Sequence, residues 1–244
     1  MSRPRWLTGT DAPDDFPPLE EALTEPNGLL AMGGDLSPER LLAAYARGIF
    51  PWYEVGQPIL WWSPDPRAVL WPEDLHISRR LARKQRSAGL ELTCDRAFLD
   101  VVQRCAEPRR YADSTWITTE MRTAYTALHE LGWVHSFEAW KNDELVGGLY
   151  GVAIGRVFFG ESMFSRVTDA SKIALIAAVD YLEARGFALL DCQVWSSHLR
   201  TLGATTVPRS KFLRKLEELC HPPGTPRIWA QDFEVFNTSP EGRG

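Results

Sequence analysis

The sequence predicts an α+β protein, with a small N-terminal α/β domain followed by a larger domain built on a mixed sheet. Two observations set the class. Residues 156–194 read as strand, long amphipathic helix and second strand, a β-α-β unit whose strands run parallel. Just before it, Trp133 to Trp140 alternates like a half-buried strand, Asn142-Asp-Glu144 turns, and Leu145 to Ala153 returns as a glycine-rich hairpin. A third observation, the proline-rich Ser63-Pro-Asp-Pro66, divides a 16–65 domain from a 66–236 domain.

Residues 1–15 are polar, rich in Pro and Asp and without periodicity, so they read as a disordered segment. Ser37 and Pro38 start a helix carrying Leu41, Leu42 and Tyr45, and Gly48 ends it. Trp52, Trp61 and Trp62 then gather among prolines as a rigid aromatic wall, or as the weld between the two domains. Beyond the boundary come a strand from Ala68 to Trp71, a basic helix from Ser78, a short strand from Leu90 to Thr93 and a helix from Phe98 to Ala106. Residues 108–114 read as a loop. The next helix, Thr119 to Leu131, has Met121, Ala124, Tyr125 and Leu128 on one face and stops at Gly132. The helix of the β-α-β unit runs from Ala170 to Arg185, capped by Asp169 and stopped by Gly186. A last helix spans Lys211 to Leu219, and 237–244 form a loose tail.

With 244 residues, 44% of them hydrophobic, the chain can bury a substantial core. No apolar run approaches the ~20 residues that cross a bilayer, and the first residues lack a signal peptide's apolar core, which places the protein in the cytoplasm. Four cysteines without C-x-x-C spacing and five scattered histidines indicate neither a disulfide framework nor a metal site. The net charge of −5 opposes non-specific nucleic-acid binding by the whole surface. One local basic patch stands against that background. Helical spacing sets Arg79, Arg83 and Arg86 along one side of a helix with Arg80 and Lys84 beside them, which fits either a nucleic-acid contact or an ordinary solvated face.

Glu161 interrupts the apolar strand Arg156 to Arg166, where a bare charge needs a partner unless it lies on a solvated edge. Asp191 and Gln193 interrupt the second strand, Phe187 to Val194, and a period of two points them to one face. The pair can share a hydrogen bond or a substrate, or mark a strand end that emerges into solvent; with Glu161 they are the candidate functional residues. Strict alternation puts Phe158 and Glu161 on opposite faces, and only a bulge near Gly160 would bring them to one.

Mixed strands, a β-α-β unit and a closing helix resemble the N-acetyltransferase-like (GNAT-like) acyltransferase architecture. Coenzyme A users of that fold carry a Gly-rich pyrophosphate loop before the connecting helix. Here that position reads Ser165-Arg-Val-Thr-Asp-Ala-Ser-Lys172, without glycine, which argues against a coenzyme A cradle. Specific motifs narrow the resemblance. Gly33-Gly-Asp-Leu-Ser-Pro38, Gly48-Ile-Phe-Pro-Trp52, Leu60-Trp-Trp-Ser-Pro-Asp-Pro-Arg67, Phe159-Gly-Glu-Ser-Met-Phe-Ser-Arg166 and Leu190-Asp-Cys-Gln-Val194 lie in collinear order. Together they resemble the bacterial leucyl/phenylalanyl-tRNA–protein transferases.

That resemblance implies an enzyme needing no metal or coenzyme. It would move Leu or Phe, and also Met, from aminoacyl-tRNA to proteins with N-terminal Arg or Lys, generating an N-degron. It places catalysis on Asp191 and Gln193 and associates Glu161 with the donor's aminoacyl end. In that expectation Asp191 holds and polarises Gln193, which steers the attacking amine, while Glu161 binds the donor's α-amino group. It assigns Trp52, Trp116, Tyr125, Phe158 and Met163 to the aminoacyl and adenosine pocket, gives the basic helix the tRNA acceptor stem, and sets Ala178 at a pocket-facing position that is aromatic in some relatives. An acyl-coenzyme A N-acyltransferase, or a tRNA-binding module without catalysis, are the alternatives.

Overall fold

The computed structural model describes residues 3–107 and 117–238. Strand β1 (Arg5–Leu7) runs parallel to β2 (Leu29–Gly33), so part of the segment expected to be disordered is a strand. Its anchor is Arg40, buried in helix α1 (Pro38–Ala46), which donates to the carbonyls of Thr8, Asp11 and Ala12. Ser37 caps that helix as its sequence indicates, accepting from the Arg40 N–H. Strands β3 (Phe50–Pro51) and β4 (Leu60–Trp62) complete a four-stranded sheet in the order β1-β2-β4-β3.

After four intervening residues the chain enters a second sheet at β5 (Arg67–Leu70). Helix α2 (Arg79–Ser87), capped by Ser78, precedes β6 (Glu91–Cys94), α3 (Phe98–Ala106) and α4 (Thr119–Glu130). The expected loop at 108–114 lies outside the described residues. Strands β7 (Val134–Lys141) and β8 (Glu144–Ile154) form the expected hairpin, with Asn142 and Asp143 both at positive φ. Then come β9 (Val157–Ser165), α5 (Ala170–Ala184) and β10 (Leu189–Gln193), with β9 and β10 parallel. The chain closes with α6 (Ser197–Arg200), β11 (Thr205–Val207), α7 (Arg209–Leu219) and α8 (Ala230–Thr238). The seven strands run β11-β5-β10-β9-β8-β7-β6, and every neighbouring pair except β9-β10 is antiparallel.

The α+β class and the mixed sheet are those expected. Four details differ. Strand β7 is buried on both faces over its first six residues, because α5 packs on one side and α3 and α4 on the other. Asp169 makes no side-chain cap on α5 and pairs with Arg80 instead. Helix α7 is not the last. Helix α8 follows it, docked where Trp229 stacks on His135 and Phe233 meets Phe137 and Tyr181. It carries the expected loose tail as far as Thr238 as helix, and 239–244 lie outside the described residues. Among the described residues no helix is long and apolar enough to cross a membrane. One apolar core runs through both sheets, uniting Leu41, Tyr45 and Trp61 of the first with Val101, Tyr125 and Phe159 of the second.

Candidate active site

Strands β9 and β10 pair only through Phe159↔Asp191 and then part. On the β8 side, Tyr150 pairs with Ser162 and Gly151 with Gly160, so Glu161 is the extra residue of a bulge. This is the irregularity that a pocket shared by Phe158 and Glu161 requires, and both side chains line one cavity. On β10 a second irregularity separates Asp191 from Gln193, and Gln193 sits at φ +60°, a left-handed conformation that costs of order 1–3 kcal/mol for a residue with a side chain. The kink turns the Gln193 amide back across the gap, where Nε2 donates to Glu161 Oε1 at 2.7 Å.

Glu161 accepts two further hydrogen bonds, from Tyr45 Oη at 2.6 Å and from Tyr125 Oη at 2.9 Å. The two phenol oxygens also touch each other. Burial, helped by the facing carboxylate, pushes both phenols well above their ordinary value and keeps them protonated donors. Burial also pushes Glu161 up to about 7, against the three donors that favour its charged form. Among the described residues its carboxyl has no cationic partner, only these three neutral donors.

Asp191 has the opposite environment. Fully buried, it accepts from Arg67 Nε at 2.8 Å and Nη2 at 2.6 Å, and Arg67 is equally buried. Nη1 of Arg67 donates to the Gly48 carbonyl, and the rings of Phe50 and Phe212 lie 4.8 and 4.7 Å from the guanidinium. Asp191 also accepts from the backbone N–H of Gln193 at 2.9 Å. It therefore holds Gln193 through the main chain, not through the side-chain amide that the sequence reading paired with it.

The cavity beside Glu161 has a volume of about 300 Å³. Its walls are apolar, with Leu70, Leu149, Phe158, Met163, Leu175 and Leu190 inside and Trp52 and Val194 on the more exposed rim. Burial pushes the Cys192 thiol in its wall up to about 12, too high to supply a thiolate near neutral pH. The shape suits one medium-sized apolar side chain with a polar reaction centre at its head.

The family model described as leucyl/phenylalanyl-tRNA protein transferase matches residues 69–217, and that of the family's N-terminal domain matches 34–65. Leucyl/phenylalanyl-tRNA–protein transferase of Stutzerimonas stutzeri is 58% identical over 86% of this chain and 92% of that protein. The proteins of that name from Pseudomonas aeruginosa and Nitrosomonas europaea are 56% and 57% identical, over 90% and 89% of this chain and 96% and 92% of theirs. The chain belongs to the leucyl/phenylalanyl-tRNA–protein transferase family. It is thus a transferase enzyme. Two solved structures give distant likenesses. A GCN5-related N-acetyltransferase from Kribbella flavida has 14% identity and TM-score 0.36, over 70% of this chain and 61% of that one. L-PGS from Bacillus licheniformis has 11% identity and TM-score 0.38, over 70% and 57%.

Of the residues that the family resemblance singles out, Glu161, Gln193, Asp191, Trp52, Phe158 and Met163 line the one cavity, and Tyr125 reaches it through Glu161. Trp116 lies outside the described residues. Ala178 is fully buried but is not in the cavity wall, where α5 contributes Leu175 instead. On α2, Arg79, Arg80, Arg83 and Arg86 are exposed and Lys84 is half-buried, while Leu81 anchors the helix in the core. Two transferase residues escape the sequence reading. Tyr45 counts there only as an apolar helix position, and Arg67 only as the end of a Pro-Asp-Pro-Arg motif. Each meets its partner across more than a hundred residues, with no local signal of the encounter.

Proposed function

We propose that this transferase moves Leu or Phe, and also Met, from aminoacyl-tRNA to the N-terminal Arg or Lys of acceptor proteins, in the cytoplasm, by direct aminolysis that generates an N-degron. The observation that carries the reading is a near-neutral carboxyl, Glu161, at the head of an apolar cavity of about 300 Å³. The donor's side chain fills the cavity, which brings the ester carbonyl to Glu161 and Gln193. An apolar pocket separates side chains by only ~1–3 kcal/mol per methylene, so tolerance of Leu, Phe and Met is expected.

In the reaction the acceptor's amine nitrogen bonds to the ester carbonyl carbon and the bond from that carbon to the ribose oxygen breaks. The amine loses a proton and the ribose oxygen gains one. With Nε2 of Gln193 engaged by Glu161, the amide oxygen is left to accept from the attacking amine and orient it. Asp191 is tied to Arg67 and acts as a positioning residue. Glu161 then takes the amine's proton and returns it to the ribose oxygen, a general-base role worth ~10²–10⁴-fold in rate, added to the ~7–11 kcal/mol that alignment can supply.

The exposed arginines of α2 contact acceptor-stem phosphates, chiefly through charge and shape. Replacing Arg80 and Lys84 by Ala is expected to weaken donor binding and flatten its dependence on salt; an unchanged slope would leave α2 a solvated face. The reading as a whole is tested by transfer of radiolabelled Leu from charged tRNA to a peptide beginning with Arg, beside one beginning with Ala. Transfer to the Arg peptide alone is expected. Its absence with intact charged tRNA and folded protein would contradict the assignment.

A further inference from the structure

Aminolysis brings two substrates to Glu161, and the apolar cavity accommodates only one of them. A second cleft, of about 780 Å³, shares Glu161, Ser162, Met163 and Leu199 with that cavity and continues it outward. Its character is different. Its walls carry Arg104, Arg166, Ser165 and His198, and among the described residues its one carboxylate besides Glu161 is Glu107.

Glu107 is already arranged as a guanidinium receptor. Nη2 of Arg166 donates to its two oxygens at 3.0 and 2.9 Å, and Nη1 of Arg104 donates to Oε1 at 2.9 Å. All three side chains are substantially exposed, with Glu107 41% and Arg166 48% accessible. Exposed ion pairs exchange partners at little cost, so an incoming cation can take the place of Arg166. Among the described residues, two further carboxylates near the reaction centre are not open to such exchange. Asp191 is sealed against Arg67, and Asp169, farther out along the protein surface, is nearly buried against Arg80.

Resting on the aminoacyl-transfer reading above, we infer that Glu107 selects the acceptor: it receives the guanidinium or ammonium of the N-terminal Arg or Lys in the polar cleft, displacing Arg166, while the α-amine points to Glu161. A planar guanidinium can bind the carboxylate through two parallel hydrogen bonds, and an ammonium as a point charge. Neutral side chains gain neither.

The test measures KM for two acceptor peptides identical but for an N-terminal Arg or its neutral isostere citrulline, with Leu-tRNA as donor, for the wild-type protein, Glu107→Gln and Arg166→Ala. Glu107→Gln is expected to raise KM for the Arg peptide about tenfold, consistent with loss of one charge-assisted contact, and to erase the preference over citrulline. KM for Leu-tRNA should not follow. Arg166→Ala, which removes the competing cation, should leave acceptor KM equal or lower. Wild-type KM and preference in Glu107→Gln would overturn the inference, as would a rise in acceptor KM in Arg166→Ala matching that of Glu107→Gln, since Glu107 would then act only by holding Arg166. If the wild-type protein transfers Leu to neither peptide, the transfer reading itself fails and the inference falls with it.

Discussion

Arg67 spends its whole guanidinium inside the protein, on Asp191, on the Gly48 carbonyl and between two aromatic rings. A buried pair of this kind gives little net stability over an apolar substitute, but removing one partner strands the other charge. Arg67→Ala is therefore expected to cost ~3–5 kcal/mol in urea unfolding, with part recovered in the double variant Arg67→Ala/Asp191→Ala. Additive losses would mean that the two side chains stabilise independently. The pair also explains how two neighbouring carboxyls differ. Asp191 is hydrogen-bonded to a buried cation, whereas Glu161, held among the described residues by neutral donors, is pushed up to about 7 by burial.

At the scale of elements, the site depends on β9 carrying one residue too many. The two glycines beside the bulge do different work. A Cβ on Gly151 would lie 2.3 Å from the Phe159 carbonyl oxygen and 2.7 Å from the Phe158 ring, whereas one on Gly160 would meet nothing nearer than the Asp191 carbonyl at 3.6 Å. Gly151→Ala should thus lower stability by at least ~1–3 kcal/mol and displace Glu161, while Gly160→Ala stays within ~1 kcal/mol of the wild type in the same melts. Equal effects would refute the difference in packing at the two glycines. The sequence made part of this legible. Glu161 in an apolar run, Gly160 beside it and the paired polar residues on β10 all announced a site, and the Ser37 cap announced a helix start. It did not reveal that Gly151, one of several hairpin glycines, is the one pressed hardest against β9, because that contact belongs to strand register. Helix α8 escaped for a similar reason. What docks it is the stacking of Trp229 on His135 and of Phe233 against Phe137 and Tyr181, partners far away in the chain.

Across the whole molecule, the two sheets share both a core and a reaction centre. Tyr45 comes from α1 beside the small sheet, Tyr125 from α4, Glu161 from β9 and Gln193 from β10, and each of the other three bonds to Glu161. The N-terminal region therefore helps to set the protonation of a carboxyl in the larger sheet. The sign for stability follows from the shift. Between the ordinary carboxylate value of 4.5 and about 7 the folded protein keeps a proton that the unfolded chain has lost, so this group's contribution weakens as pH rises through that window. Activity runs the other way, because only the ionised carboxyl can accept the amine's proton.

Single-turnover transfer of Leu to an Arg-initiated peptide, at saturating donor and acceptor between pH 5.5 and 8.5 on the order of the titration range of such a group, tests the role of Glu161 most directly. The wild-type rate should rise with pH with a midpoint at about 7 and approach a plateau on the alkaline side. Tyr45→Phe removes a donor that favours the charged form and should move that rise to higher pH, and Glu161→Gln should abolish it together with ~10²–10⁴-fold of the rate. A Glu161→Gln variant that keeps the wild-type rate and pH profile would contradict the account.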